Sequence, residues 1–354
     1  TGTSGNVPNI YCLTKDVPDC KTCLAALEVS MPQNIPRRAG VVPNTPVYNK
    51  NRRRNTGAVV RYMHSDGRMR TILIDCGKTF YDASLTWFTH HNLRQIDAVL
   101  LTHGHADAML GLDDLRQWTI GGKHLCVQDH IDVYLSPQTM GVVSSSFPYL
   151  VDKGKATGGG DVPSLRFHVF EAGIDKFVVG ELEVVPLEVE HGRVDKETPF
   201  MSLGFRFGEL AYVSDVSAFP ERTREKMRGV TTLVLDALHC KSFVLPPPPP
   251  PFPAIFFLPL ISLLKLSFYF EDTPHASHLS IPQSLTEILR ILPHNTTPPA
   301  RAFLVGFSHR VEHETLEREL ERDETLWSNG VVVRPAWDGL RVKLRGEEVG
   351  VGGE

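Results

Sequence analysis

Little in this chain marks it as anything but an ordinary folded protein, and its shortages are informative. Six cysteines among 354 residues are too few for a disulfide scaffold, so a buried core must hold the fold together. Neither sign of charge dominates: 37 Lys and Arg stand against 41 Asp and Glu, a formal net charge of −4. Nothing global therefore attracts phosphate backbones, which argues against general electrostatic nucleic-acid binding. A composition of 42% hydrophobic and 22% charged residues excludes disordered, collagenous and coiled-coil chains. No internal repeat is visible. No basic-then-apolar leader accompanies Thr1, so no secretory signal is expected. What is plentiful is histidine, at 15. It is the commonest metal ligand and titrates near pH 7, so its placement is the question to follow.

Runs rich in Val, Ile and Leu, bounded by Gly, Asp or Asn, predict strands near 57–63, 70–75 and 96–102. Further strands are predicted near 123–127, 165–170, 182–190, 200–207, 209–214, 231–236, 301–307 and 330–345, with helices near 82–92, 107–118 and 281–292. The stretch Gly154–Gly160 reads as a flexible surface loop. Many strands with a few helices between them predict an α/β arrangement, sheet packed on sheet with helices outside. The length suits one domain over 1–345, followed by a short tail, 346–354.

One segment departs from this pattern. Within 244–270, six consecutive prolines precede an almost wholly apolar run. The 19 residues from Phe252 to Phe270 approach the ~20 that span a bilayer. Pro253, Pro259 and Lys265 interrupt them, however, and each proline inside a helix costs ~3 kcal/mol. A span here would also put two halves of one fold on opposite sides of a membrane. The segment therefore reads as an insertion foreign to the fold, such as translated intron sequence, with a tolerated family insertion and a membrane anchor as alternatives. Sequencing the mature transcript across the codons for Ser242 to Pro274 is expected to show them missing; an unbroken reading frame refutes the intron origin.

The strongest chemical signal is Leu101-Thr-His-Gly-His-Ala-Asp-Ala108, directly after the apolar strand 96–102. In extended backbone the side chains at 103, 105 and 107 project the same way. Two imidazoles and a carboxylate then converge, a donor set suited to a divalent transition metal. A lone histidine more often caps a strand or bonds within a core. Here, though, His191, Asp215 and His309 follow other predicted strands, and a rim of strand ends so furnished points to a metal site.

With these residues in view, the chain resembles the metallo-β-lactamase fold superfamily, in which an HxHxDH motif, a later His, a bridging Asp and a last His hold two metals. Thr3-Ser-Gly, Ile74-Asp75-Cys-Gly77 and Thr102-His103-Gly-His105 fit that pattern in order, and Gly111-Leu-Asp-Asp-Leu-Arg116 is similar to one branch of it. That branch contains the phosphoribosyl cyclic phosphodiesterase of bacterial phosphonate breakdown and its eukaryotic relatives. The resemblance implies a four-layer αββα sandwich with one or two divalent ions, zinc or manganese, along one edge. It implies His103, His105 and His191 on the first metal, Asp107 and His309 on the second, and Asp215 bridging. Ala108 stands where the motif has its final His, so the second site has three protein ligands instead of four. Asp113 or Asp114 are the nearest side chains to compensate, and pairing with Arg116 is their other reading.

The implied reaction is metal-assisted hydrolysis, in which the metal makes water available as a nucleophile near pH 7. Asp215 and Asp107 lie at the reacting centre, and His278 supplies a proton to the leaving alkoxide. His275 is read as a loop residue bonded to backbone, and Asp75 as orienting a metal-bound histidine. Cys12, Cys20 and Cys23 resemble a cluster that the bacterial relative completes with a histidine. His313 is the implied fourth ligand of a structural zinc; a redox pair is the alternative, although no thioredoxin-like βαβ surrounds it. Cys76, Cys126 and Cys240 read as buried thiols. The basic run Asn49–Asn55 is a solvated loop or a phosphate-facing patch.

The expected function is a metal-dependent phosphodiesterase acting on a small cyclic or nucleotide-like phosphate. No membrane is expected, a homodimer is compatible, and the expected location is cytoplasmic, with the nucleus open. An RNA-processing nuclease, a thioester or lactone hydrolase on the same fold, and a catalytically weak scaffold motivated by Ala108 are the alternatives.

Overall fold

A computed structural model describes residues 6–27, 49–120, 126–171, 173–238 and 275–344. The 244–270 insertion, Cys240, Thr3-Ser-Gly and the 346–354 tail lie outside the described residues.

The first sheet has five strands in chain order: β1 (Ala58–Met63), β2 (Met69–Ile74), β3 (Ala98–Leu100), β4 (Ile131–Leu135) and β5 (Leu165–Val169). β1 and β2 form an antiparallel hairpin, and β2 to β5 run parallel. The second has seven: β6 (Phe177–Val179), β7 (Leu182–Arg193), β8 (Pro199–Phe207), β9 (Leu210–Val213), β10 (Thr232–Asp236), β11 (Ala300–Val305) and β12 (Val331–Pro335), ordered β12-β11-β10-β9-β8-β7-β6. Pairing is antiparallel from β6 to β9 and parallel from β9 to β12.

Period-two alternation sorts the side chains into layers. Ile72, Ile74, Ala98 and Leu100 of the first sheet pack against Val184, Leu203, Phe205 and Tyr212 of the second, which puts the sheets face to face. The intervening Leu73, Val99 and Leu101 turn outward and, with Ile131, Val133 and Leu135, meet Phe80, Phe88, Leu112, Leu115 and Trp118. Leu187, Val189, Val213, Leu233, Leu235 and Leu304 face Ile281, Ile288, Leu316 and Leu320 on the other outer surface. The result is the four-layer αββα sandwich that was expected.

Two departures have local causes. The expected helix 107–118 is three short pieces, Ala106–Met109, Leu112–Leu115 and Arg116–Thr119. The break falls at Gly111, where any Cβ would lie 2.4 Å from the Gly77 carbonyl oxygen; close packing onto the β2 exit overrides helix continuity. The expected strand 330–345 stops at Pro335, after a last bond to β11 from Ala336 N–H to the Leu304 carbonyl at 2.8 Å.

Candidate metal centre

The parallel strands deliver their C-terminal ends to one rim. β3 exits through Leu101, which still bonds the Tyr134 carbonyl at 2.9 Å, and then Thr102, whose own carbonyl accepts from Leu203 N–H of the opposite sheet at 3.0 Å. That cross-sheet bond fixes the height at which His103 enters. His105 follows and precedes the short helix carrying Asp107. Underneath, Asp75 adopts a positive φ of 60°. The next turn is stitched to that helix by Cys76 N–H to the Ala108 carbonyl and Gly111 N–H to the Cys76 carbonyl, each 2.7 Å. Gly77 is required there, since a Cβ would sit 1.8 Å from the Asp107 carbonyl oxygen. His191 comes from the end of β7, where the pairing register to β8 shifts between Glu190 and Arg193, a bulge of the kind that re-aims a side chain. Asp215 follows β9.

These residues meet. The ring centroids of His103 lie 4.5 Å from His105 and 5.0 Å from His191, and those of His105 and His191 are 5.1 Å apart. Ligand atoms of His103, His105 and His191 lie within 4.8 Å of one another, and so do those of His191, Asp215 and His278. His105 stacks on Phe200 at 4.8 Å. The hydrogen bonds fix two tautomers. His191 Nδ1 lies 2.7 Å from the Ser277 carbonyl, which can only accept, so Nδ1 carries the proton and Nε2 has a lone pair. Thr102 Oγ1 sits 3.0 and 2.8 Å from the two Asp75 oxygens and 2.8 Å from His103 Nδ1. The hydroxyl donates to Asp75, accepts from Nδ1–H, and leaves His103 Nε2 unprotonated. That Nε2 is buried with no hydrogen-bond partner among the described residues, a position expensive to maintain unless a cation fills it.

The electrostatics agree with the geometry. Burial pushes His103 down to about 3 and lowers His105, with His191 adding to the effect; both imidazoles stay neutral, as ligands must. Burial raises Asp107 to about 6, and the facing Asp215 carboxylate adds to it. For Asp215 itself burial acts upward, but His103, His191 and His278 outweigh it and hold the carboxyl below its ordinary value. His278 Nδ1 lies 2.8 Å from Asp236 Oδ2 and 3.8 Å from Asp215 Oδ1. Although burial opposes its charge, Asp236 and Asp215 raise it to about 9. Asp236, fully buried, also accepts from Val216 N–H at 3.2 Å.

Two expected ligands stand elsewhere. His309 is not beside Asp107. Its Nδ1 points at Cys12 Sγ (3.4 Å) and Cys20 Sγ (3.6 Å), and Cys12, Cys20, Cys23 and His309 bring one ligand atom each within 4.8 Å of the others. His313, expected as the zinc ligand, starts the helix His313–Glu321 instead, fully buried, with its ring 5.8 Å from Trp337 and Nε2 3.9 Å from Glu317. The cause is Arg53. It is 1% exposed, donates to the Ser308 carbonyl at 2.9 Å and the Val311 carbonyl at 2.8 Å, and lies over the Phe307 ring at 5.2 Å. This clamp turns the 308–311 loop so that His309 faces the cysteines. Arg53 also pairs backbone to backbone with Val7.

The basic run is thus mostly internal structure: Arg54 is held by Asp82 and Asp338, and Lys50 by Glu317. Replacing Arg53 by Met would take the donor from the buried Val311 carbonyl and leave the Ser308 carbonyl with Val311 N–H alone, at 3.2 Å. We expect it to lower unfolding free energy by about 2–4 kcal/mol, measured by urea denaturation; a loss under ~0.5 kcal/mol contradicts the clamp. Asp113 pairs with Tyr149 and Arg116, and neither it nor Asp114 joins a metal-capable group among the described residues. His275 accepts from Ser277 N–H at 3.2 Å, as a loop residue should. Asp236 and Thr102 were not singled out from sequence, yet Asp236 ends a predicted strand just as the residues before Asp215 do, and Thr102 immediately precedes the first histidine.

Two sheets between helices, with imidazoles and carboxylates gathered at one set of strand ends, define an αββα sandwich with a metal-capable rim. The chain belongs to the beta-lactamase superfamily domain family, whose profile matches residues 70–304. Its fold is similar to a crystal structure described as a new diphosphatase from the PhnP family (TM-score 0.62, 23% identity, 98% of this chain and 95% of that one). It is also similar to Zn²⁺-bound PqqB from Methylobacterium extorquens (TM-score 0.60, 16% identity, 97% and 98%). Among curated proteins, an octanoyltransferase of Porphyromonas gingivalis (strain ATCC BAA-308 / W83) is 28% identical over 169 residues, 48% of this chain. The match spans only 30% of that protein's length. Among the described residues no helix is long and apolar enough to cross a membrane.

Proposed function

We propose that this protein is a metal-dependent hydrolase that cleaves phosphodiesters, with a small cyclic or nucleotide-like phosphate as substrate. The observation that carries the reading is the convergence of the buried, unbonded His103 Nε2 with His105, His191 and Asp215 beside a hydrogen-bonded His278–Asp236 pair. Three imidazoles and a carboxylate suit zinc or manganese, and those four residues would hold the ion. A divalent ion there supplies Lewis acidity and makes water a competent nucleophile near neutral pH.

The chain's own groups do the rest. Thr102 and the Ser277 carbonyl hold the His103 and His191 rings with their lone pairs turned to the centre. The Asp107 carboxylate, raised toward neutrality by burial, is placed to accept a proton from the attacking water. With Nδ1–H given to Asp236, the His278 ring is held so that Nε2 can pass a proton to the departing alkoxide. A solved neighbour described as a diphosphatase supports phosphoryl chemistry. Cys12, Cys20, Cys23 and His309 would hold a separate structural zinc. The five described cysteines are all unpaired, which suits a reducing compartment and supports a cytoplasmic or nuclear location.

The test is hydrolysis of bis(p-nitrophenyl) phosphate and of a panel of cyclic phosphates by the metal-loaded protein. Turnover that EDTA abolishes and added zinc or manganese restores is expected. A loaded protein inert toward every phosphodiester, yet active on a thioester or lactone, overturns the substrate class.

A further inference from the structure

We propose that the catalytic centre of this chain holds one divalent ion rather than two, the place beside it being filled by the His278–Asp236 pair. The inference rests on the hydrolase reading above and concerns how many ions the rim can take.

A second ion would need nitrogen or oxygen donors from three places. The first is the short helix after His105. It offers Asp107, but the next residue is Ala108, 2% exposed, and a methyl group cannot ligate. The second is the exit of β11. There Gly306 has φ +78°, and a Cβ built on it would lie 2.3 Å from Asp236 Oδ1, so no side chain can project into the centre from that position. The imidazole this loop does carry, His309, is turned to Cys12 and Cys20 at 3.4 and 3.6 Å, and the Arg53 clamp on the carbonyls of Ser308 and Val311 keeps it there. The third is the exit of β9, whose Asp215 carboxylate lies with His191 and His278 in a group that shares only His191 with the first ion's histidines. What remains is Asp107, Asp215 and His278, whose Nδ1 is already bonded to Asp236 at 2.8 Å; both histidines that the resemblance gives a second ion, at positions 108 and 309, are lost to it.

The neighbouring imidazole is itself engaged. His278 packs 4.9 Å from the His191 ring, with Nδ1 anchored on Asp236 at 2.8 Å and 3.8 Å from Asp215. A protein side chain, braced by a buried carboxylate, therefore stands where a second cation would otherwise neutralise Asp215 and Asp107.

The experiment counts metal in the full-length protein. The chain is saturated with Zn²⁺, freed of loose metal by gel filtration, and assayed by plasma mass spectrometry. Two equivalents are expected, one in the centre and one on the cysteines. His103→Ala should lose one equivalent, and His278→Ala none. In Co²⁺-loaded protein, electron paramagnetic resonance should show magnetically isolated high-spin ions. Three equivalents in the parent, an exchange-coupled cobalt pair, or loss of an ion on His278→Ala overturns the one-ion centre while leaving the hydrolase reading intact. Full retention of metal by His103→Ala overturns the centre itself, and with it both proposals. None of these arms needs a cysteine variant, whose folding is in question for separate reasons.

Discussion

Turnover of bis(p-nitrophenyl) phosphate should fall by at least about 10³-fold, or about 4 kcal/mol of transition-state stabilisation, when His103 is replaced by alanine. The ring is 1% exposed and its Nε2 has no hydrogen-bond partner among the described residues, so its removal strikes an atom turned to the centre and held by nothing else. The loss belongs to chemistry and not to folding: the core clusters on both sheets pack without this ring, and the far-ultraviolet circular dichroism should be unchanged. The same logic grades the residues behind it. Thr102→Val keeps the shape but cannot accept from His103 Nδ1 or donate to Asp75, so the ring is free to rotate or take the wrong tautomer. A loss of ~10–100-fold in metal affinity is expected for it, read by competition with a chelating dye. If His103→Ala turns over at more than about a tenth of the parent rate, the rim is not the reacting centre.

How much of this could be read from residues alone depended on whether a local pattern or a tertiary contact decided the matter. The alternation of Ile72, Leu73 and Ile74, and of Ala98, Val99, Leu100 and Leu101, announces strands buried on both faces, and β1 to β3 lie within two residues of their expected bounds. β4 lies at Ile131–Leu135, where no strand was expected, and most of the strand expected near 123–127 lies outside the described residues. The alternation of Ile131, Val133 and Leu135 was available but overshadowed by the apolar run just before it. The helix His313–Glu321 escaped notice because its sequence is mostly charged; only Leu316 and Leu320, four apart, mark its buried face.

For the centre, the His-x-His-x-Asp spacing after a strand is local, and His103, His105 and His191 converge as that pattern requires. The ends of the chain are different. Which of His309 and His313 meets the cysteines is decided by Arg53, more than two hundred residues away in sequence. Arg53 belongs to a basic run whose ordinary meaning is a solvated loop. No spacing rule encodes an arginine that buries itself to hold two carbonyls. The same holds for Gly306, whose closeness to Asp236 exists only in the folded chain.

The cysteine cluster should be the protein's most sensitive structural point, and Cys20→Ser or prolonged chelation the change that shows it. Among the described residues the N-terminal segment buries a core of Val7, Cys12, Cys23 and Ala26, with Leu13 and Cys20 partly covered. Two helices of four and five residues are far too short to persist alone, and so small an apolar cluster cannot offset the entropy of ordering the loop. Its other ties include the Val7–Arg53 backbone pair, the Asn49 amide on the Ala25 carbonyl at 2.6 Å and the approach of His309. Burial raises Cys23 to about 12 and raises Cys12 as well, so without a cation those two sulfurs stay protonated and hold the segment weakly. A structural zinc, worth ~10–16 kcal/mol in small metal-folded domains, supplies what the core lacks. Serine at position 20 should therefore release residues 7–26, seen as rapid proteolysis and loss of amide protection there, while the sheets keep theirs. Turnover should fall too, because the loop that carries His309 begins at Gly306, against Asp236, and a loosened loop frees the carboxylate that orients His278. If residues 7–26 stay protected after chelation or in the serine variant, the segment is held by packing, and no zinc is needed to explain it.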